Sequence, residues 1–212
     1  MIIVESNGYK FFCRPFPGWD DEFCVDEVVA RDVYKMKDWK FKNGTIIDIG
    51  GNIGTFAIPA SKYGHVIAYE PSPTNFKILE MNIALNNADV EAHNCAVGKR
   101  GIDTVEIDNS GHTRMGSVGG LNGEPVESIA FDDIPAKHID VLKMDCEGGE
   151  YAIINNATAL DRVDLIVGEL HSWLFEDDEY KDEHIAMIKK LKKYFKLEFE
   201  GYKDSALFGV KK

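Results

Sequence analysis

Residues 45–54, Thr-Ile-Ile-Asp-Ile-Gly-Gly-Asn-Ile-Gly, carry the clearest structural signal in this chain. The apolar, β-branched residues at 45–49 predict a buried strand, and the glycines that follow predict a tight loop. The stretch 55–63 is predicted to be a helix. A strand, a glycine loop and a helix in this order are typical of the first unit of an open α/β sheet, in which ligands bind at the carboxyl ends of the strands.

Predicted strands and helices alternate through the rest of the chain. Further strands are predicted at 66–69, 90–96, 140–144, 165–169, 195–199 and 206–210, and helices at 74–86, 151–155 and 184–194. The connection between the last two strands is too short for a parallel crossover, so one of them must run antiparallel. We therefore expect an α/β protein with a Rossmann-like, doubly wound, seven-stranded and mainly parallel sheet, including an antiparallel C-terminal strand.

The first part of the chain differs from this alternation. Short strands at 2–4 and 10–13 and a helix at 26–36 are predicted before the first glycine loop. We expect residues 1–44 to form an N-terminal cap packed on a main domain at 45–212. A total of 212 residues suits one large α/β domain of this kind.

Composition and charge exclude several classes of protein. The net charge of −12 at pH 7 repels phosphate backbones, which argues against a nucleic-acid partner. The four cysteines show neither C-x-x-C pairs nor zinc-ligand spacing with histidine, so a reduced, cytoplasmic protein without a metal site is expected. A signal-peptide pattern and a run of 18 apolar residues are both absent, so no membrane span is predicted. These properties leave the oligomeric state open.

The glycine loop indicates which cofactor the protein binds. A nicotinamide dinucleotide would require glycine at position 52, where this chain has Asn52, and a Walker loop would require Gly-Lys-Ser/Thr. S-adenosylmethionine has no phosphate to contact, and its positive charge suits the carboxylate of Asp48 at the strand end. Glu70, at the end of the second strand, is placed to accept hydrogen bonds from both ribose hydroxyls. We therefore expect S-adenosylmethionine as the cofactor.

The third predicted strand contributes to the same site, because its end should border the adenine. Cys95 could equally be a small core residue. The predicted cofactor-binding residues are Asp48, Gly50, Gly51, Asn52, Gly54, Thr55, Glu70, Pro71, Ser72, Asn94, Cys95, Ala96 and Asp145.

Five motifs resemble, in the same order, those of the FkbM-type methyltransferase family. They are IIDIGGNIG at 46–54, AYEPSPTNF at 68–76, NIALN at 82–86, KMDCEGGE at 143–150 and ELH at 169–171. One departure is Gly51, where the family commonly has alanine. The resemblance implies a class I methyltransferase fold, S-adenosylmethionine as methyl donor, and transfer of the methyl group to a hydroxyl oxygen, often on a sugar or a polyketide.

An acidic cluster follows the fourth and fifth strands of the predicted sheet. Because both strand ends should open onto the same cleft, these side chains are expected beside the methyl donor. His171 is the expected general base, since its ordinary pKa lies near neutrality. Asp145 or Glu147 could instead orient the acceptor, or take the proton if burial raised the pKa. The predicted catalytic residues are His171, Asp145 and Glu147.

The acceptor-binding residues are less well determined by the pattern. The predicted residues are Lys143, Glu150, Glu169, His112 and Arg114. Lys143 could instead neutralise the acidic cluster, and Glu150 could stabilise a helix dipole. Tyr34 and Arg31 could line the site from the cap. The carboxylates could also hold Mg²⁺ or Ca²⁺, but the acidic pair usual after strand five of metal-dependent enzymes is absent, so no metal is predicted.

Three functions therefore remain open at this point. The first is S-adenosylmethionine-dependent O-methylation of a sugar or glycan hydroxyl. The second is O-methylation of a polyketide or another small natural product. The third is a non-catalytic S-adenosylmethionine-binding scaffold, against which the dense cluster of Asp145, Glu147, Glu150 and His171 argues.

Overall fold

The computed structural model describes residues 1–16, 20–99, 104–107, 124–171, 178–200 and 206–212. The strands are β1 Ile2–Ser6, β2 Tyr9–Cys13, β3 Gly44–Ile49, β4 Gly64–Tyr69, β5 Val90–His93, β6 Ala96–Gly98, β7 Thr104–Ile107, β8 Glu124–Ala130, β9 Ile139–Met144, β10 Val163–Glu169, β11 Phe195–Glu200 and β12 Ala206–Lys211. The α-helices are α1 Asp21–Val25, α2 Ala57–Ala60, α3 Pro73–Asn86, α4 Gly149–Asn156 and α5 Asp178–Tyr194.

Seven strands form the central sheet in the order β11-β12-β10-β9-β3-β4-β5. The pairs β10–β9, β9–β3, β3–β4 and β4–β5 are parallel, whereas β12 is antiparallel to both β10 and β11. The predicted seven-stranded sheet with an antiparallel C-terminal strand is therefore confirmed. The strand order reverses between β3 and β9, and this reversal opens a crevice at their carboxyl ends.

The central strands are buried because helices cover both faces of the sheet. On one face, Leu142 and Ile166 belong to a cluster with Tyr151 of α4 and Leu191 of α5. On the other face, Ile46, Phe56 and Leu79 form part of a second cluster. These two apolar layers fix the strand ends that carry the candidate site.

The N-terminal segment forms a hairpin and a short helical region. The strands β1 and β2 pair antiparallel, and α1 continues into a π-helical turn at Asp26–Ala30. The predicted helix at 26–36 is wrong in its bounds. Asp32 has a left-handed φ of 57°, and its carboxylate accepts hydrogen bonds from the backbone N–H groups of Met36 (2.8 Å) and Lys37 (3.1 Å). This local turn competes with helix continuation.

Two other elements differ from the expectation. The predicted strand 90–96 divides into β5 and β6, which belong to different sheets, and Asn94 and Cys95 lie between them. The helix expected at 55–63 is reduced to α2, which contains Pro59, a residue without an N–H to donate. All four cysteines are free thiols. Within the described part of the chain, no helix has the length and apolar character needed to cross a membrane.

Candidate active site

The glycine loop lies directly against the loop that follows β9. Gly50 has a φ of +83°, and a Cβ at this position would lie 1.9 Å from the carbonyl oxygen of Asp145. The backbone N–H groups of Gly50 and Gly51 both donate to the carbonyl of Tyr69, each at 2.9 Å. At Gly51 a Cβ would meet Leu79 Cδ2 at 3.4 Å, an ordinary contact, so alanine fits there. The cofactor loop and the acidic loop therefore form one continuous site.

Asp48 and Lys143 form a buried ion pair beneath this loop. Asp48 is completely buried and Lys143 is 3% exposed, and Lys143 Nζ lies 3.0 Å from Asp48 Oδ1. The same ammonium donates to the carbonyl of Gly50 at 2.7 Å. Burial lowers the pKa of Lys143, but the charges of Asp48 and Asp145 outweigh it and raise the pKa overall. Lys143 therefore stays charged, pairs with Asp48 and holds the loop, and its contact with the acceptor stays a prediction.

Glu70 connects the glycine loop to the turn after β4. Its carboxylate accepts hydrogen bonds from the backbone N–H of Asn52 (2.7 Å) and of Ser72 (2.8 Å). Asn94 Nδ2 fixes the same turn by donating to the carbonyls of Glu70 (2.8 Å) and Pro71 (3.0 Å). Glu70 is only 5% exposed, and burial raises its pKa to about 7. Each carboxylate oxygen retains a lone pair for a ligand hydroxyl.

The residues at this end of the sheet fit S-adenosylmethionine. Asn52 Oδ1 is buried and has no hydrogen-bond partner among the described residues, so it offers an acceptor to a polar ligand. Thr55 is 5% exposed within the same loop region. Ser72 also accepts a hydrogen bond from the N–H of Asn75 at 3.4 Å, which caps α3. The glycine loop, the Glu70 carboxylate at the strand end and the amide oxygen of Asn52, unpaired within the residues that the structure describes, are together the features that a site for this cofactor requires.

The residues predicted at the end of the third strand lie mostly in the core, and their contact with the cofactor stays a prediction. Cys95 belongs to the apolar core cluster, and burial raises its pKa to about 11. Ala96 is buried at the start of β6. Cys95 is therefore surrounded by core residues, in agreement with the alternative that it is a small core residue. Asn94 supports the neighbouring turn through its side chain.

Glu150 organises the acidic loop from within. This side chain is completely buried. Its carboxylate accepts hydrogen bonds from the backbone N–H of Cys146 (2.7 Å) and of Gly148 (2.9 Å), and Oε1 lies 3.1 Å from His171 Nδ1. Because both oxygens bind protein groups, Glu150 supports the loop and orients His171. A contact of Glu150 with the acceptor stays a prediction.

His171 is enclosed by three carboxylates. Besides Glu150, its Nε2 lies 3.2 Å from Glu147 Oε2 and 3.7 Å from Asp145 Oδ1. Burial lowers the pKa of His171, but the hydrogen bond and charge of Glu150 and the charges of Asp145 and Glu147 raise it to about 9. At neutral pH the ring is therefore a cation, which is unsuited to accept a proton. This charge state weakens the physical reason for expecting His171 to be the base.

Glu147 and Asp145 are the carboxylates of the cluster that reach solvent. Their side chains are 17% and 28% exposed. Glu147 has a left-handed φ of 51°, and burial raises its pKa to about 8. Asp145 donates its backbone N–H to the carbonyl of Ile49 at 3.1 Å, and its Oδ2 accepts from the hydroxyl of Tyr34 at 3.0 Å. The two carboxylates thus lie at the open side of the cluster, and the backbone of Asp145 contacts the end of β3 and Gly50 of the cofactor loop.

Ligand atoms of Asp145, Glu150 and His171 lie within 4.8 Å of one another, close enough for a cation. The ion pairs and backbone hydrogen bonds of these side chains already account for their proximity. Glu169 ends β10 at the same sheet edge. His112 and Arg114 lie outside the described residues.

Sequence reasoning missed the role of Asn82. This side chain is completely buried in α3. It accepts from the N–H of Phe12 (2.6 Å) and donates to the carbonyl of Ile53 in the glycine loop (2.9 Å). Asn86, one turn later, accepts from the backbone N–H of Lys10 and donates to the carbonyl of the same residue. The spacing of two asparagines by four residues was the available signal, because it places both amides on one face of a helix.

The sheet order, the glycine loop after β3 and the carboxylate after β4 define a class I, S-adenosylmethionine-dependent methyltransferase. The sequence profile of the methyltransferase FkbM domain matches residues 48–201. Since this match covers well over half of the chain, the protein belongs to the FkbM methyltransferase family, and its cofactor is S-adenosylmethionine.

Known proteins with similar sequences or folds agree with this assignment. The hexuronic acid methyltransferase AglP of Haloferax volcanii is 27% identical over 149 residues, which cover 63% of this chain and 59% of that protein. The crystal structure of methyltransferase FkbM from Methylobacillus flagellatus is 15% identical with a TM-score of 0.54, covering 84% of this chain and 46% of that one. The chain thus spans about half the length of these two relatives.

A third protein, like the FkbM crystal structure, is similar in fold alone. The tRNA (uracil-54, C5)-methyltransferase of Pyrococcus abyssi, in complex with S-adenosylhomocysteine, is 12% identical with a TM-score of 0.51. The similarity covers 99% of this chain and 43% of that one.

Proposed function

We propose that the protein transfers a methyl group from S-adenosylmethionine to an oxygen of a sugar or glycan, with a hydroxyl as the acceptor group. One observation carries this proposal: two solvent-reaching carboxylates, Asp145 and Glu147, belong to the loop whose backbone packs against Gly50 of the cofactor loop. The name of the Haloferax relative, a hexuronic acid methyltransferase, supports a sugar acceptor. The net charge of −12 argues against a nucleic-acid acceptor.

The acceptor hydroxyl must lose a proton as its oxygen forms the new bond to carbon. The cofactor supplies an electrophilic methyl group, whose bonding electrons remain on sulfur. Glu147 is the better proton acceptor of the cluster, because a pKa of about 8 lies close to the working pH. The charged ring of His171 holds Glu147 in place at 3.2 Å. Asp145, nearer the cofactor loop, is available to orient the acceptor hydroxyl.

The experiment is a methyl-transfer assay with isotope-labelled S-adenosylmethionine. The acceptor panel contains uronic acids, deoxy-sugars, glycans, hydroxylated natural products and transfer RNA, each with and without EDTA. We expect labelled sugar products in the presence of EDTA, and fragmentation of these products by mass spectrometry to locate the methyl group on a hydroxyl. A methyl ester on a uronic acid would contradict the hydroxyl acceptor. Cofactor binding without transfer to any acceptor would favour the scaffold.

The same assay tests the proton acceptor. Glu147→Gln should lower kcat by about 10²–10⁴-fold, the usual range for a general base, while the dissociation constant of S-adenosylhomocysteine stays near that of the parent. The kcat of the parent should rise with pH through about 8, as Glu147 loses its proton. Asp89→Asn is the matched control, because Asp89 is an exposed carboxylate that also pairs with a histidine, His65. A Glu147→Gln enzyme with near-normal kcat would exclude Glu147 as the base.

A further inference from the structure

Tyr34 reaches the acidic cluster from outside the family-matched residues 48–201. It lies in the N-terminal segment, between the π-helical turn and β3, and is 5% exposed. Its hydroxyl donates a hydrogen bond of 3.0 Å to Asp145 Oδ2, across 111 residues of sequence. Its ring packs edge-on against Phe56, with 5.4 Å between the ring centroids. The cap therefore contributes a polar group directly to the candidate site.

This hydrogen bond fixes how the Asp145 carboxylate is turned. The side chain of Asp145 is 28% exposed, so the carboxylate has room to rotate about its terminal torsion, a broad and soft one. With Oδ2 held by Tyr34, the other oxygen is directed to the side of His171, whose Nε2 lies 3.7 Å from Oδ1. One oxygen is thus held by the cap and the other belongs to the acidic cluster.

The phenol remains a hydrogen-bond donor throughout the working pH range. Burial, followed by the charges of Asp145 and Glu169, raises the pKa of Tyr34 well above its ordinary value of 10. The tyrosine cannot become a competing anion beside Asp145. It acts only as a neutral donor to a carboxylate, and such charge-assisted bonds are the stronger kind.

Lys35, the residue after Tyr34, attaches this part of the cap to the edge strand of the sheet. Lys35 has a left-handed φ of 53°, and its Nζ lies 2.5 Å from Glu200 Oε1 at the end of β11. The same ammonium lies 4.2 Å from the ring centroid of Phe208 on β12. Tyr34 and Lys35 therefore attach two consecutive residues of the cap to the carboxyl edges of β9 and β11.

We propose that Tyr34 is a positioning residue of the acceptor site, which holds the Asp145 carboxylate in the rotation that orients the acceptor. The proposal rests on the proposed function insofar as Asp145 contacts the acceptor. It makes the cap a required part of the catalytic unit, although the family-matched region begins after it. This arrangement would orient acceptors that carry a hydroxyl group, because the hydroxyl can donate a hydrogen bond to a carboxylate oxygen held in one position.

The test removes the hydroxyl and retains the ring. Tyr34→Phe should lower kcat on the order of tenfold, the loss expected for a hydrogen bond to a charged group. The dissociation constant of S-adenosylhomocysteine, measured by calorimetry, should stay within about twofold, which separates positioning from general loss of folding. In an Asp145→Ala background, where the acceptor of the Tyr34 hydroxyl is gone, the same change should have no further effect on kcat. Tyr63→Phe is the matched control, because Tyr63 packs in the same aromatic cluster, against Trp39 and Phe41.

A second readout does not require turnover. In Tyr34→Phe the freed carboxylate should interact more strongly with His171, and the imidazole resonances should titrate at a higher pH by nuclear magnetic resonance. A parent enzyme that methylates no acceptor would contradict the proposed function, and the histidine titration would still decide the role of Tyr34. An unmoved titration, a fall in kcat that is equal in both backgrounds, or a parallel loss of cofactor affinity would each overturn the proposal.

Discussion

The two sides of the cleft are held together by different kinds of interaction. On the cofactor side, backbone groups dominate: Gly50 and Gly51 donate to a strand carbonyl, and Glu70 accepts from two backbone N–H groups. On the other side, where we propose that the acceptor binds, side chains bind other side chains, with His171 between Glu147 and Glu150. The first arrangement depends on local chain geometry, and the second depends on contacts between distant segments.

This difference determines how each side should respond to change. A backbone site is sensitive to added volume and to the φ angle at a few positions, and less to pH, because most of its contacts are made by groups that do not titrate. A side-chain site tolerates changes of shape better, but its charges are coupled, so it responds to pH and to the loss of one partner. The following three predictions test this contrast.

The largest effect is expected at Gly50. Gly50→Ala places a Cβ 1.9 Å from the carbonyl oxygen of Asp145 and forces alanine into a φ of +83°. The strained backbone and the overlap together should cost about 3 kcal/mol or more of folding free energy. Chemical unfolding should record this loss, and binding of S-adenosylhomocysteine should disappear from the thermal shift.

Gly51→Ala is the matched control one residue later. Its Cβ would meet Leu79 at 3.4 Å and Ala68 at 3.5 Å, both ordinary contacts. Stability and cofactor binding should therefore stay close to those of the parent. If the two variants behaved alike, the loop would be flexible enough to absorb a Cβ anywhere, and the contrast between the two sides would fail.

The second effect is a dependence of stability on pH that originates on the acceptor side. His171 titrates near 9 in the folded protein and near 6.5 when unfolded, because its carboxylate neighbours favour the charged ring. The folded state then binds more protons, so this contribution is complete below pH 6.5 and is lost as the pH rises through 9. Urea unfolding should show the free energy of unfolding falling by about 2–3 kcal/mol over this range.

A histidine variant separates this contribution from that of Glu147. The carboxyl of Glu147, whose pKa is raised to about 8, changes stability in the same direction between pH 4.5 and 8. His171→Gln should therefore make the slope shallower without abolishing it. His65→Gln is the control, because His65 also pairs with carboxylates but is 44% exposed. A slope that His171→Gln leaves unchanged would mean that the ring is not the group that gains the proton.

The same contrast explains what the sequence could predict. The strand, the glycine loop and the placement of Glu70 follow from patterns within about ten residues, and the structure has them where expected. The motif KMDCEGGE identified the residues of the acidic loop but not their partners. That Lys143 neutralises Asp48, and that Glu150 holds His171, depends on strands β3, β9 and β10 being adjacent. Pairing between elements is invisible to local periodicity.

The predicted helix at 26–36 shows a second limit of sequence reasoning. The sequence predicted a helix there, but the carboxylate of Asp32 satisfies two backbone N–H groups in a turn instead. Tyr34 lies within that turn, and its hydroxyl donates to Asp145. The departure from the helical pattern thus occurs at a residue that contributes to the candidate site, where local preference and function conflict.

The smallest effect is expected for Glu70→Gln, which tests the carboxylate that bridges the glycine loop and the turn after β4 on the cofactor side. Glutamine keeps the volume, but it replaces one carboxylate oxygen with an NH₂ group. This NH₂ group would face the backbone N–H of Asn52 or of Ser72, each of which now donates to a Glu70 oxygen. It also offers weaker acceptors to the ribose hydroxyls. Affinity for S-adenosylhomocysteine should fall about tenfold by calorimetry, with a loss of about 1 kcal/mol in stability. Because the pKa of Glu70 is raised to about 7, the parent's affinity should also decline as the pH falls below 7, and the variant should lack this decline.

Ile139→Val is the control with a similar loss of stability. It removes a methylene at the first residue of β9, at the end of the strand away from the site. Equal affinity losses in Glu70→Gln and Ile139→Val would show that the carboxylate only stabilises the loop and does not bind the ribose.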